Sequence, residues 1–158
     1  MTNQDGTLDD AFRFLTEIAI IAQLAGAAFE KAMPQGMTMP QFEVLHHLAR
    51  LGGEWTPLRL ANAMQLTKGA MTNTLNHLSR KGYVSIRPDD RDGRSKLVSL
   101  TDEGRRARDA SVVALAPELA ALVEGVSAKL LKDATPPLET VRKFLDQRRD
   151  EPRPLTGR

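Results

Sequence analysis

The chain has 158 residues, of which 41% are apolar and only 4% aromatic, so it can bury a core of one compact domain or two small ones but has little material for a sheet-built one. Its formal net charge of +2 implies no partner by itself, and the lack of cysteine excludes a disulfide framework, a thiolate nucleophile, a CxxC metal site and a thiol redox switch. Plentiful alanine and leucine predict a mainly α fold, and a cysteine-free chain suits a reducing cytoplasm.

Residues 1–7 are polar, lack the basic and apolar regions of a signal peptide, and read as a disordered tail. From Leu8 to Met33 apolar residues dominate without proline, which predicts one long helix. Phe12, Leu15, Ile18, Ile21, Ala22, Ala25 and Phe29 cover more than one helical stripe, so this helix needs two apolar partners. Ile18 to Phe29 is uncharged for only 12 residues, short of the roughly 20 that span a bilayer, which predicts a soluble chain with no membrane partner. Pro34 and Gly36 stop the helix. Thr38 and Pro40 signal a second one, with Phe42, Leu45, Leu48 and Ala49 on one face and an end near Gly52 and Gly53.

Thr56-Pro57 opens a third helix of barely two turns, running through Leu58, Leu60 and Ala61 to about Met64. After Gln65 and Leu66, Thr67 is placed to cap a fourth helix that ends at Lys81-Gly82. A short helix, a tight turn and a longer helix form a helix-turn-helix pattern. Tyr83 to Arg87 and Leu97 to Leu100 are β-competent, and the turn-rich PDDRDGRSK between them predicts a projecting hairpin. Thr101, Asp102 and Glu103 begin a fifth helix, with a bend or break expected at Pro117. A last helix is expected after Pro136-Pro137, to about Arg149, followed by a disordered tail over 150–158.

Charge is unevenly placed. Lys68 to Lys96 holds seven basic and three acidic residues, a local +4 that leaves −2 for the rest of the chain. On the fourth helix Met71, Leu75 and Leu78 share one face, while Gly69, Asn73, Asn76 and Arg80 share the opposite one, flanked by Thr72 and His77. Amides and hydroxyls with few acids suit base edges, because asparagine can bond adenine bidentately and threonine can touch a thymine methyl. The hairpin adds Arg91, Arg94 and Lys96, which could reach phosphates or a minor groove. Asp89, Asp90 and Asp92 oppose that attraction unless they fix the loop.

In this order, a helix-turn-helix carrying TKGAMTNTLNHLSRKGYVSIR, the D-G-R of Asp92 to Arg94 in a hairpin, and LTDEGR from Leu100 to Arg105, the sequence resembles the MarR family of winged helix-turn-helix transcriptional regulators. The resemblance implies a winged helix-turn-helix domain over 38–100 and a helical dimerisation region from 8–33 and 101–149. It also implies a cytoplasmic homodimer on a pseudo-palindromic double-stranded operator. Carried over by position, Thr67, Lys68, Thr72, Asn73 and Asn76 face DNA and Arg94 enters the minor groove. The pattern departs from many relatives, which have arginine where this chain has Asn73 and often where it has Gly93.

Many members of the family are released from DNA by small anionic or aromatic ligands held between the dimerisation helices and the winged domain. In this chain Phe12, Arg13, Phe14 and His46 are the residues such a crevice would draw on. No cofactor or metal is expected. The adjacent His46 and His47 point about 100° apart on a helix, and no phosphate-binding glycine loop, GxSxG or HExxH occurs, so the reading is not an enzyme. Trp55, before a helix cap, reads as a packing residue. The leading reading is a sequence-specific double-stranded DNA-binding regulator of transcription, a repressor released by a small-molecule ligand. The alternative is a winged helix used for protein contacts or for nucleoid-type binding with little sequence preference.

Overall fold

The computed structural model describes residues 3–149. Six helices and one hairpin follow in the order α1 (Asn3–Ala32), α2 (Met39–Leu51), α3 (Pro57–Ala63), α4 (Lys68–Arg80), β1 (Val84–Pro88), β2 (Lys96–Leu100), α5 (Asp102–Val126) and α6 (Ala128–Arg149). This is a mainly α fold with a β-hairpin wing. The chain divides between Glu118 and Leu119 into two compact units, with α5 beginning in the first and ending in the second.

In the first unit, the core joins Val44, Leu45 and Leu48 of α2, Leu60 and Ala61 of α3, and Met71, Leu75 and Leu78 of α4 to Val84, Val98 and Leu115. The buried face of α2 is centred on Val44 and Leu45, leaving Phe42 and Ala49 half-buried, a rotation from the expected stripe. Leu58 is half exposed because α3 turns its other side, Leu60 and Ala61, to the core. Thr56 accepts from the Arg59 N–H at 3.2 Å and Thr67 from the Ala70 N–H at 3.2 Å, so both caps form. Thr38 occupies its N-cap position without a side-chain cap bond. Between α3 and α4, Gln65 takes a left-handed φ of 57°, and the Leu66 N–H bonds Ala61 O at 2.9 Å to close the turn.

Gly82 has φ +72°, the left-handed conformation that ends α4 and aims the chain into the hairpin. β1 and β2 pair antiparallel with Ile86 opposite Val98 and Arg87 opposite Leu97. Trp55 adds a one-residue third strand. Its N–H donates to Val98 O at 2.9 Å and its carbonyl accepts from the Val98 N–H at 2.8 Å. The Thr101 hydroxyl then donates to Gly82 O at 2.7 Å and accepts from the Gly104 N–H at 3.0 Å, fastening the start of α5 to the root of the wing.

Three boundaries differ from expectation. α1 begins at Asn3, within the stretch 1–7 expected as a tail. α5 is unbroken through Pro117, where a bend or break was expected. α6 starts at Ala128, ahead of Pro136-Pro137, and passes through both prolines. Ser127 explains that start, because its hydroxyl accepts from the Leu130 N–H at 3.3 Å as an N-cap. The tail expected over 150–158 lies outside the described residues.

Gly6–Ala32 of α1 is, by length and composition alone, able to cross a bilayer, with a mean hydropathy of 1.4 over its most apolar stretch. The 12-residue uncharged run is bounded by Glu17 and Glu30, which interrupt this longer apolar helix without making it polar. Phe12 is 72% and Leu24 67% exposed on this helix. In the second unit Leu130, Leu138, Phe144 and Leu145 are also exposed.

Candidate nucleic-acid interface

The fourth helix is positioned by its buried face, where Met71, Leu75 and Leu78 sit in the core together with Thr74. Packing that face turns Lys68, Gly69, Ala70, Thr72, Asn73, Asn76, Ser79 and Arg80 outward, all exposed, with His77 half-buried. Thr67 stands exposed at the N-cap. The Thr72 hydroxyl donates to Lys68 O at 2.8 Å. The Arg80 guanidinium lies back along its own helix, bonding His77 Nδ1 at 2.9 Å and Asn76 O at 3.4 Å.

The wing is fixed by its acids, in a way the sequence left open. Asp89 and Asp92 accept the backbone N–H groups of Arg91 and Arg94 at 3.0 and 3.1 Å, shaping the loop as short Asx turns. Arg87 takes a bidentate bond to Glu54, at 2.8 Å for each nitrogen, and a third bond to Asp90 at 3.0 Å. The Arg87 guanidinium holds the Glu54 carboxyl below the usual carboxylate range, and Glu54 in turn raises the arginine further. Two wing acids thus bond backbone and the third bonds Arg87, so none of these bonds engages the side chains of Arg91, Arg94 or Lys96, which are exposed.

A cleft of about 420 Å³ lies where α3, α4 and the wing meet, lined by Thr56, Pro57, Leu58, Lys68, Thr72, Arg94, Ser95 and Lys96. Three cations and three hydroxyls converge there without one acid. Such a wall suits a phosphate, because cations supply the Coulomb attraction and hydroxyls the directed bonds. Of the DNA-facing candidates, Lys68, Thr72, Arg94 and Lys96 are brought together in this cleft. Thr67, Asn73, Asn76 and Arg80 continue along α4, and Arg91 lies toward the wing tip. Thr56 and Ser95 were missed as lining residues. Thr56 showed only its capping signal, and Ser95 only its turn propensity.

Glu54 and Trp55 also escaped a functional reading, since the pairing of a single residue with β2 leaves no periodic trace. The Trp55 ring is held edge-on to His47 with centroids 4.6 Å apart, beneath the Arg59 guanidinium at 4.3 Å, which agrees with a packing role. His46 packs against Phe42, 5.4 Å between ring centroids, and its Nδ1 meets an Arg108 nitrogen at 3.2 Å. Burial first, then Arg108 and Arg50, holds the His46 imidazole below its ordinary range; burial, Arg50 and His46 do the same to His47. Phe12, Arg13 and Phe14 are exposed along the first half of α1. Among the described residues no group of acids and histidines could hold a metal ion.

A helix-turn-helix whose second helix is exposed beside a cationic hairpin defines the chain as a winged helix-turn-helix protein. Residues 35–95 match the model of the MarR family. The chain is 30% identical over 115 residues to the transcriptional activatory protein BadR of Rhodopseudomonas palustris, across 71% of this chain and 64% of that one. It is 37% identical over 71 residues to the multiple antibiotic resistance protein MarR of Salmonella typhimurium, across 45% of this chain and 49% of that one. The match therefore spans less than two thirds of either relative. The solved structure of apo wild-type MarR from E. coli superposes with a TM-score of 0.67 at 26% identity, across 80% of this chain and 94% of that one. The structure of reduced AbfR bound to DNA shares the fold, with a TM-score of 0.73 at 22% identity over 90% of this chain and 98% of that one. Over residues 35–95 the chain is thus similar to the MarR family, and its fold is the one that MarR has.

Proposed function

We propose that the protein is a cytoplasmic, homodimeric, sequence-specific regulator of transcription that binds a pseudo-palindromic double-stranded operator and is released by a small anionic or aromatic ligand. The observation that carries this reading is the acid-free cleft, where Lys68 of the exposed helix and Arg94 and Lys96 of the wing converge on one space. One phosphate seated there would fix the register of α4 against base edges. AbfR, whose structure bound to DNA shares this fold, supports DNA as the partner.

The exposed apolar side chains of α1, and separately those of α6, support the dimer, because such surfaces need a partner. In that dimer the two recognition helices meet half-sites about one helical turn apart. Phe12, Arg13 and Phe14 join His46 as the residues proposed to face the ligand, and the PcaV regulator of Streptomyces coelicolor, solved with its natural ligand, shares the fold. The chemistry is binding and not catalysis. Selection of bound fragments from genomic DNA by the full-length protein tests the proposal. An enriched palindromic motif is expected, and uniform recovery of all fragments would overturn it.

A further inference from the structure

The exposed side of α4 carries a choice of base. Guanine is most often read by an arginine or lysine that bonds O6 and N7 together, whereas adenine is read by an amide that accepts from N6 and donates to N7. α4 has two cations, Lys68 and Arg80, at its two ends. Lys68 lines the cleft with Arg94 and Lys96, which gives it to a phosphate. Arg80 is tied back to His77 Nδ1 at 2.9 Å and to Asn76 O at 3.4 Å.

Between those ends the exposed side chains are Ala70, Thr72, Asn73, Asn76 and Ser79, none of them charged. Asn73 and Asn76 are three residues apart on one face, separated by about 4.5 Å of helix rise, which is close to the step between neighbouring base pairs. The hydroxyl hydrogen of Thr72 is already given to Lys68 O, so its methyl group and lone pairs are what it offers a ligand. Methyl groups at Ala70 and Thr72 match the C5-methyl of thymine.

We infer that α4 reads adenine–thymine pairs, with Asn73 and Asn76 as the adenine-specifying residues, and that guanine contributes little to recognition in the major groove. This rests on the proposed DNA-binding function and adds the base class to it. Because the readers are amides, each must both donate to N7 and accept from N6 to select adenine. Loss of either bond therefore weakens the site.

The test places the modification on the DNA, so folding of the protein is not in question. A sequence recovered by selection is resynthesised with 7-deazaadenine at each half-site adenine in turn, and separately with 7-deazaguanine at each guanine. These analogues pair normally but lack the N7 acceptor. One or two adenine positions per half-site should lose affinity by about fivefold or more, guanine positions should not, and Asn73→Ala or Asn76→Ala should abolish the sensitivity at its own position. Losses at guanine with none at adenine, or insensitivity to both analogues on a strongly selected sequence, would overturn the inference while leaving DNA binding standing. Failure of any sequence to be enriched would overturn the sequence-specific regulator proposed above, and this inference with it.

Discussion

Gly104 lies where the first turn of α5 crosses the root of the wing, and a methyl group there has nowhere to go. A Cβ built on Gly104 would stand 2.0 Å from Tyr83 O, 2.8 Å from Tyr83 C and 2.9 Å from Leu100 Cδ1. The first two are backbone atoms, and that backbone is held by the Thr101 N–H to Tyr83 O bond at 3.2 Å and the Thr101 hydroxyl to Gly82 O bond at 2.7 Å. Relief requires a shift of about 1 Å that weakens both bonds. Overpacking of this kind costs about 2 kcal/mol and two weakened hydrogen bonds about 2 kcal/mol more, while the better helix propensity of alanine returns about 1 kcal/mol. Gly104→Ala should therefore lose about 3 kcal/mol and melt about 10 °C lower by circular dichroism at fixed protein concentration. Gly69→Ala, where nothing lies within 4 Å of the new Cβ, is the matched control and should melt no lower than the parent. Equal melting of Gly104→Ala and the parent would refute the packing of α5 on the wing root.

Glu54→Gln removes a negative charge near a polyanion-binding surface, yet it should weaken DNA binding, because Glu54 anchors β1 through Arg87; anisotropy titration showing tighter binding would contradict the anchor. Stability should fall as pH drops below about 6.5, the unperturbed histidine value, because His46 and His47 are depressed in the fold and the unfolded chain then binds more protons. Urea midpoints measured from pH 8 to pH 5 should show that slope in the parent and a flatter one in a variant with both histidines changed to glutamine. Sedimentation should find a dimer at micromolar concentration, and Phe12→Glu with Leu24→Glu should shift it toward monomer. With no cysteine, brief mild peroxide treatment should leave DNA binding intact, and rapid, thiol-reversible loss would exclude a purely ligand-driven release.

The helix-turn-helix was legible because its signals are local. Thr56 and Thr67 each announce a cap, Gly82 a stop, and the 3.6-residue spacing of Met71, Leu75 and Leu78 fixes which side of α4 faces outward. What the sequence concealed was pairing at a distance. Glu54 meets Arg87 across 33 positions, Trp55 completes the sheet with one residue, and Lys81 reaches Gly36 O and, at 2.9 Å, the buried Gln41 side chain. None of these contacts has a period. The prolines of α5 and α6 misled because both helices continue past them, and the start of α6 is set by the cap at Ser127 rather than by its proline pair. In the candidate interface the charged residues were visible one by one, but the acids of the wing looked like opposition. Their bonds to backbone and to Arg87 show how a loop can be rich in aspartate while leaving Arg91, Arg94 and Lys96 free of them.

The central claim is that α4 and the wing form one DNA-binding surface with a phosphate at their junction. Its most direct test is the slope of log affinity against log salt for a selected operator, measured for the parent, Lys68→Ala, Arg94→Ala and the double variant. Each single change should flatten the slope by nearly one unit per site occupied, on operator and scrambled DNA alike, because each removes a cation that displaces a counterion. Since Lys68 and Arg94 share one cleft, the double variant should lose less affinity than the sum of the two singles. An unchanged slope in both single variants would contradict the account.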